Sequence, residues 1–264
     1  MGELIFIGLG LYDENDITLN GLDAAKGCDT LFAEFYTAKL TGTTKTRIES
    51  LIGKSIRVLK REEMEKGDTI IEAAKGNRVG VLVAGDPMTA TTHMSLRLKA
   101  KQNGIKTRLI HGASIITSAP ALSGLHIYKF GKTTSLPFPK EKYFPTSPYD
   151  VVKRNLGNEL HSLILLDIDE KAEKYMRANE GLRLLLDMEE DRKEGVISQD
   201  TLMCVLGSVG SEKPVVRAGY LNDLIEEDFG KGLHCLIIPG KLHFMEAEAL
   251  VEFAGAPKEI LLNV

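Results

Sequence analysis

The chain has 264 residues, 43% of them hydrophobic and 27% charged, with a formal net charge of −4 at pH 7. That length suits one large α/β domain or two of about 130 residues, with a sizeable core. The acidic balance gives no electrostatic footprint for gripping a phosphate backbone, so no nucleic-acid partner is expected.

In chain order, apolar runs at residues 4–8, 30–33, 56–58, 79–84 and 107–110 read as short strands. Segments with helical spacing lie between them, at 20–26, 44–51, 62–75 and 92–103. Short buried strands alternating with helices imply a parallel sheet covered on both faces. The alternation breaks over residues 131–150, GKTTSLPFPKEKYFPTSPYD, which hold four of the nine prolines. Proline removes a backbone donor and disfavours helix and central strand, so this stretch is expected to be a domain junction or an extended connection. Alternation then resumes with a helix at 150–160, a strand at 163–168 and a long helix at 171–190. Strands at 202–206 and 215–218, a helix at 222–228 and a strand at 235–238 follow. A helix at 243–254 puts Phe244, Ala247, Leu250, Val251 and Ala254 on one face. Residues 260–262 read as a last edge strand. The expected fold class is α/β: two α/β domains, residues 1–128 with the GxG and GDP loops, and residues 129–264.

Residues 1–11 are apolar, but the run is too short and lacks a basic leader, so neither a signal peptide nor a membrane span is expected. Cys28, Cys204 and Cys235 stand alone without a CxxC pair. That pattern points to buried, reduced thiols of a cytoplasmic protein rather than to zinc.

Ligands of an open α/β sheet bind beyond the carboxyl ends of its strands. In FIGLGLYDENDIT (6–18) a strand ends in Gly8-Leu-Gly10, the opening of a nucleotide-binding turn. The third glycine of a dinucleotide fingerprint is replaced by Asp13, followed by Glu14 and Asp16. The glycines let backbone approach a ligand; alternatively this is a tight turn with acids at a helix start, capped by Thr18. The acids lack the EF-hand glycine and later glutamate, which disfavours a metal site. In LVAGDPMTATTH (82–93), Asp86 lies just past a strand end, where it can accept hydrogen bonds from a ribose hydroxyl or an amino group. The plain alternative is a Gly-Asp-Pro turn, but an acid coupled to a strand end makes this the better ligand candidate. In HGASIITSAP (111–120), small residues open a helix over exposed N–H groups, or Ser114 merely caps it. In the second half, Leu166-Asp167 and GSVGS (207–211) end strands, His234 begins one and PGKLH (239–243) follows one. Lys241 lacks the Walker spacing. No HExxH, triad or GxSxG elbow organises the histidines and serines, so acyl chemistry is disfavoured and no catalytic residue is named.

Together with FAEFYT (32–37), GLHIYKFGK (124–132), FPTSPYD (144–150), RAGYLNDL (217–224) and IIPGKLHFMEAEALVEFAGAP (237–257), these motifs closely resemble the diphthine synthases, of the tetrapyrrole-methylase-like superfamily of methyltransferases. The likeness runs from residue 4 to residue 264, and the GLHIYKFGK and PGKLH…AGAP runs are its most specific part. The resemblance implies a homodimer of two-domain chains with S-adenosyl-L-methionine in an interdomain cleft. It implies trimethylation of the amino group of a 3-amino-3-carboxypropyl side chain on a histidine of translation elongation factor 2. The cofactor contacts it implies are Leu11, Asp86, Thr89, Ser114, Ile115, Leu166, Val209 and His234, through the main chain at Thr89 and Val209. A tetrapyrrole or ribosomal RNA methyltransferase of the same superfamily is the alternative.

Overall fold

The computed structural model describes residues 2–140, 144–169, 172 and 174–262. The chain divides into two compact units, Met1–Ile115 and Ile116–Val264, against the expected boundary after residue 128.

The first unit runs β1 (Glu3–Gly8), α1 (Leu19–Lys26), β2 (Thr30–Glu34), α2 (Lys45–Ile52), β3 (Ile56–Val58), α3 (Arg61–Lys66), α4 (Asp68–Ala74), β4 (Arg78–Val83), α5 (Met94–Gln102) and β5 (Lys106–Ile110). Its five strands lie in the order β3-β2-β4-β1-β5, and every pairing is parallel. The interior strand β1 is apolar on both faces because both are covered. Alternate residues go to opposite sides. Ile5, Ile7, Leu31, Ala33 and Leu82 pack towards α1 and α2, while Leu4, Phe6, Phe32, Val81 and Val83 pack towards α3, α4 and α5. The helix expected at 62–75 is broken in two at Gly67, whose φ of +68° ends α3 in the left-handed conformation.

Helix α6 (Ile115–Ser123) crosses the division. The second unit continues with β6 (Thr134–Leu136), α7 (Ser147–Gly157), β7 (Ser162–Leu166), β8 (Ile168–Asp169), β9 (Lys174–Tyr175), α8 (Ala178–Arg192), β10 (Leu202–Gly207), β11 (Val215–Tyr220), α9 (Leu221–Leu224), β12 (His234–Ile238) and α10 (Phe244–Ala254). Its main sheet has the order β11-β10-β12-β7-β6. Only β6 and β7 pair in parallel; the other ladders are antiparallel.

Four expectations are corrected here. The proline-rich stretch 131–150 contains edge strand β6 and the start of α7, where Pro148 sits in the first turn and needs no intrahelical donor; residues 141–143 lie outside the described set. The long helix begins at Ala178, not 171: Ile168–Asp169 (β8) and Lys174–Tyr175 (β9) pair antiparallel ahead of it, and residues 170, 171 and 173 lie outside the described set. The helix at 222–228 is a single turn, α9. Residues 260–262 belong to a 3₁₀ helix, Lys258–Leu262, rather than an edge strand.

Candidate functional site

Three loops leave the carboxyl ends of β1, β4 and β5, and glycines let their backbones touch. A Cβ on Gly8 would lie 2.6 Å from the Gly112 nitrogen and 2.6 Å from the Gly85 carbonyl oxygen, and one on Gly112 would meet that same carbonyl at 2.6 Å. Gly10 and Gly85 form a two-residue antiparallel bridge, with N···O distances of 3.4 and 2.6 Å. The positive φ of both, +82° and +75°, is what glycine supplies there.

The acids of the first loop hold the loop itself. Asp16 accepts hydrogen bonds from the N–H groups of Leu11 and Tyr12 at 3.0 and 2.6 Å. Asp13 caps a short 3₁₀ turn through Asn15 N–H. Glu14 pairs with Arg47 at 2.9 Å, and a hydrogen bond from Thr43, more than Arg47, holds its carboxyl below the usual range. Thr18 caps α1 by accepting from Gly21 N–H. Because Asp16 occupies the Leu11 N–H, the backbone group Leu11 can offer a ligand is its carbonyl.

Asp86 is nearly enclosed, its side chain 11% exposed. One oxygen, Oδ1, accepts from Met88 N–H and Thr89 Oγ1 at 3.1 and 3.2 Å. The other, Oδ2, lies 2.7 Å from Nδ1 of His111. Behind this turn, buried His93 donates from Nδ1 to the Pro87 carbonyl at 3.0 Å, and its Nε2 lies 3.5 Å from Glu34, also buried. Glu34 in turn accepts from Tyr36 and Thr37 N–H, which ties FAEFYT to the Asp86 loop. Ser114 is buried directly before α6, and Ile115 is the first residue of that helix.

In the second unit, Leu166 ends β7, Val209 follows β10, and His234 begins β12 opposite Gly207. Antiparallel pairing therefore brings these three residues to one end of that sheet. Nδ1 of His234 accepts from Ala178 N–H at 3.3 Å and Nε2 donates to the Phe229 carbonyl at 3.2 Å. Burial pushes its pKa down, so the ring is held neutral. Both ring nitrogens are used within the unit, which leaves the main chain of His234 as the group for a ligand.

A further centre, at Glu246, has no counterpart in the sequence analysis. This buried carboxylate accepts from His126 N–H, His243 N–H and His161 Nε2 at 2.8, 2.8 and 2.9 Å, and from the Lys129 ammonium. It joins the GLHIYKFGK and PGKLH runs. The contact of His111 with Asp86 was not foreseen either, although its place directly after a strand was a usable signal. The three cysteines are buried and free, and burial raises the Cys28 and Cys204 thiols to about 11 and about 12. Among the described residues no group of three or more His, Cys, Asp or Glu could hold a metal ion, and no helix is long and apolar enough to cross a membrane.

The Tetrapyrrole (Corrin/Porphyrin) Methylases family matches residues 3–199. A diphthine synthase of Methanothermobacter thermautotrophicus is 52% identical over 98% of this chain and 98% of its own. The chain belongs to the diphthine synthase family. Another member, from Methanocaldococcus jannaschii, is 54% identical over 94% of this chain and 97% of its own. A crystal structure of diphthine synthase superposes with a TM-score of 0.90 at 37% identity, covering 99% of this chain and all of the other. The chain is thus a methyltransferase of diphthamide biosynthesis, drawing on a methyl donor, with the fold of the tetrapyrrole methylases.

Proposed function

We propose that the methyl donor is S-adenosyl-L-methionine and that the acceptor is the amino group of a 3-amino-3-carboxypropyl side chain on a histidine of translation elongation factor 2, trimethylated to diphthine. The observation that carries this is the 52–54% identity with diphthine synthases over nearly the whole chain. Within the tetrapyrrole methylase family, the high-identity likeness is to diphthine synthases, which favours this acceptor over a tetrapyrrole or ribosomal RNA.

The first-unit loops suit this cofactor. S-adenosylmethionine is a donor-rich cation with a ribose diol and an amino group, and it has no pyrophosphate for a third glycine to cradle. The loops offer acceptors: the Asp86 carboxylate, the Leu11 carbonyl and the Thr89 main chain. A Cβ on Gly85 would meet nothing closer than the Ala113 carbonyl at 4.0 Å, so the strand end is open there. Ser114 and Ile115 complete the first-unit contacts, and Leu166, Val209 and His234 are those proposed from the second unit. When bound, the cofactor supplies a methyl group already activated by its sulfonium.

What the chain adds is orientation, and fixed near-attack geometry accounts for about 7–11 kcal/mol of barrier lowering in well-aligned systems. Asp86 serves as an acceptor that holds the cofactor and takes no proton from the amine. The amine stands beside its own carboxylate and so titrates above the value of about 8 of a peptide α-amino group; the small neutral fraction at pH 7 is the species that attacks, its proton passing to solvent without a dedicated base. Acting on a translation factor places the enzyme in the cytoplasm, and it works as a homodimer. The test is Asp86→Ala: calorimetry shows cofactor binding weakened about tenfold or more, a loss of at least 1.4 kcal/mol, while the pH–rate profile at saturating cofactor keeps its shape. Unchanged affinity with a shifted profile contradicts the assignment.

A further inference from the structure

We propose that His111 is a positioning residue for cofactor binding, holding the free oxygen of Asp86 in place through its Nδ1–H. This rests on the assignment of Asp86 to the cofactor. The loop satisfies only Oδ1 of that carboxylate, through Met88 N–H and Thr89 Oγ1. Oδ2 is the oxygen left for a ligand, and His111 Nδ1 stands 2.7 Å from it. A carboxylate oxygen has two lone pairs, so Oδ2 accepts from His111 and still offers one pair to a hydroxyl or amino group of the cofactor.

A polar pair with an exposed partner ordinarily contributes little, because flexible side chains must be ordered to make it. This one differs at both ends. Ile110, the residue before His111, is locked in the β1–β5 ladder opposite Ile7, and Gly112, the residue after it, is wedged against the backbone of Gly8 and Gly85. Gly85, the residue before Asp86, is fixed by its bridge to Gly10. Both partners therefore start from anchored backbone, and the histidine has few rotatable bonds to order. The His111 side chain is 74% exposed, so its replacement removes the hydrogen bond without opening a cavity in the core.

The test compares cofactor binding by calorimetry with steady-state kinetics for four variants of the full chain. Asparagine can place an amide N–H where Nδ1–H lies. His111→Ala is expected to weaken S-adenosylmethionine binding about five- to tenfold, within the range of one lost net hydrogen bond at an exposed site. It raises the cofactor KM by the same factor and leaves kcat at saturating cofactor and the melting temperature unchanged. His111→Asn keeps the parental affinity. The double variant Asp86→Ala with His111→Ala binds no more weakly than Asp86→Ala alone. Parental affinity in His111→Ala, an asparagine variant as weak as the alanine one, or additive losses in the double variant would each overturn the inference while the role of Asp86 stands. If Asp86→Ala itself binds the cofactor normally, the assignment of Asp86 fails, and His111 with it.

Discussion

Glu246 is fully buried and still ionised. Burial alone would raise its pKa, but the Lys129 ammonium, the N–H groups of His126 and His243, and His161 outweigh that and hold it at about 2. Glu189 is held at about 2 in the same way: burial opposes ionisation, and the N–H groups of Ile197, Gly195 and Val196 with the Tyr149 hydroxyl overcome it. Both folded values lie below the ordinary 4.5. Their stabilisation is therefore complete above that pH and is lost as pH falls from about 4.5 towards 2. His161 and His234 act earlier. Burial pushes both below the ordinary 6.5, so protonation favours the unfolded chain and stability declines as pH falls from about 6.5. Urea titrations across pH should show both stages, and Glu246→Gln should remove part of the lower one. Glu246→Ala leaves Lys129 and His161 facing each other without their carboxylate. It should cost about 3–5 kcal/mol, the usual result of breaking a buried ion pair; a loss under about 1 kcal/mol would show that the centre is incidental. None of this was legible in the sequence, since His126, Lys129 and His161 lie 120, 117 and 85 positions from Glu246. The turn at Asp86 was legible, because Gly-Asp-Pro directly after an apolar run is a local signal and the structure has that turn just past β4.

At the scale of elements, glycines of different kinds should behave differently. Gly53 ends α2 at φ +76°, and a Cβ there would meet nothing within 4 Å. Gly53→Ala should therefore cost only the left-handed strain, about 1 kcal/mol. Gly112→Ala must push the Gly85 carbonyl from 2.6 Å, which parts two loops of the site. It should cost about 1–3 kcal/mol and weaken cofactor binding as well, which thermal melting and calorimetry will separate. Equal effects in the two variants would contradict the close packing of the loops. Strands β1, β2 and β4 were readable because interior strands of a sheet covered on both faces are continuous apolar runs. Strand β6 and the β8–β9 hairpin were not, since two or three residues are too few to show a period. The break at Gly67 was lost inside a segment that otherwise keeps helical spacing.

For the whole molecule, the sequence pattern established that both halves are α/β, and the parallel sheet expected of the first unit is the one observed. The mixed sheet of the second unit was not distinguishable, because apolar strands separated by helices or loops read alike in either direction. The function came into view through long motifs rather than through any catalytic signature. Methyl transfer from the proposed sulfonium donor would need orientation more than a nucleophile, and the proposed main-chain contacts would leave no residue-type signature.

The central claim is tested most directly by incubating the protein with methyl-labelled S-adenosylmethionine and elongation factor 2 bearing the unmethylated 3-amino-3-carboxypropyl histidine, followed by mass spectrometry of the modified peptide. Three labelled methyl groups on that side chain are the predicted result. An unlabelled elongation factor, with label appearing instead on a corrin precursor or on ribosomal RNA, would contradict it.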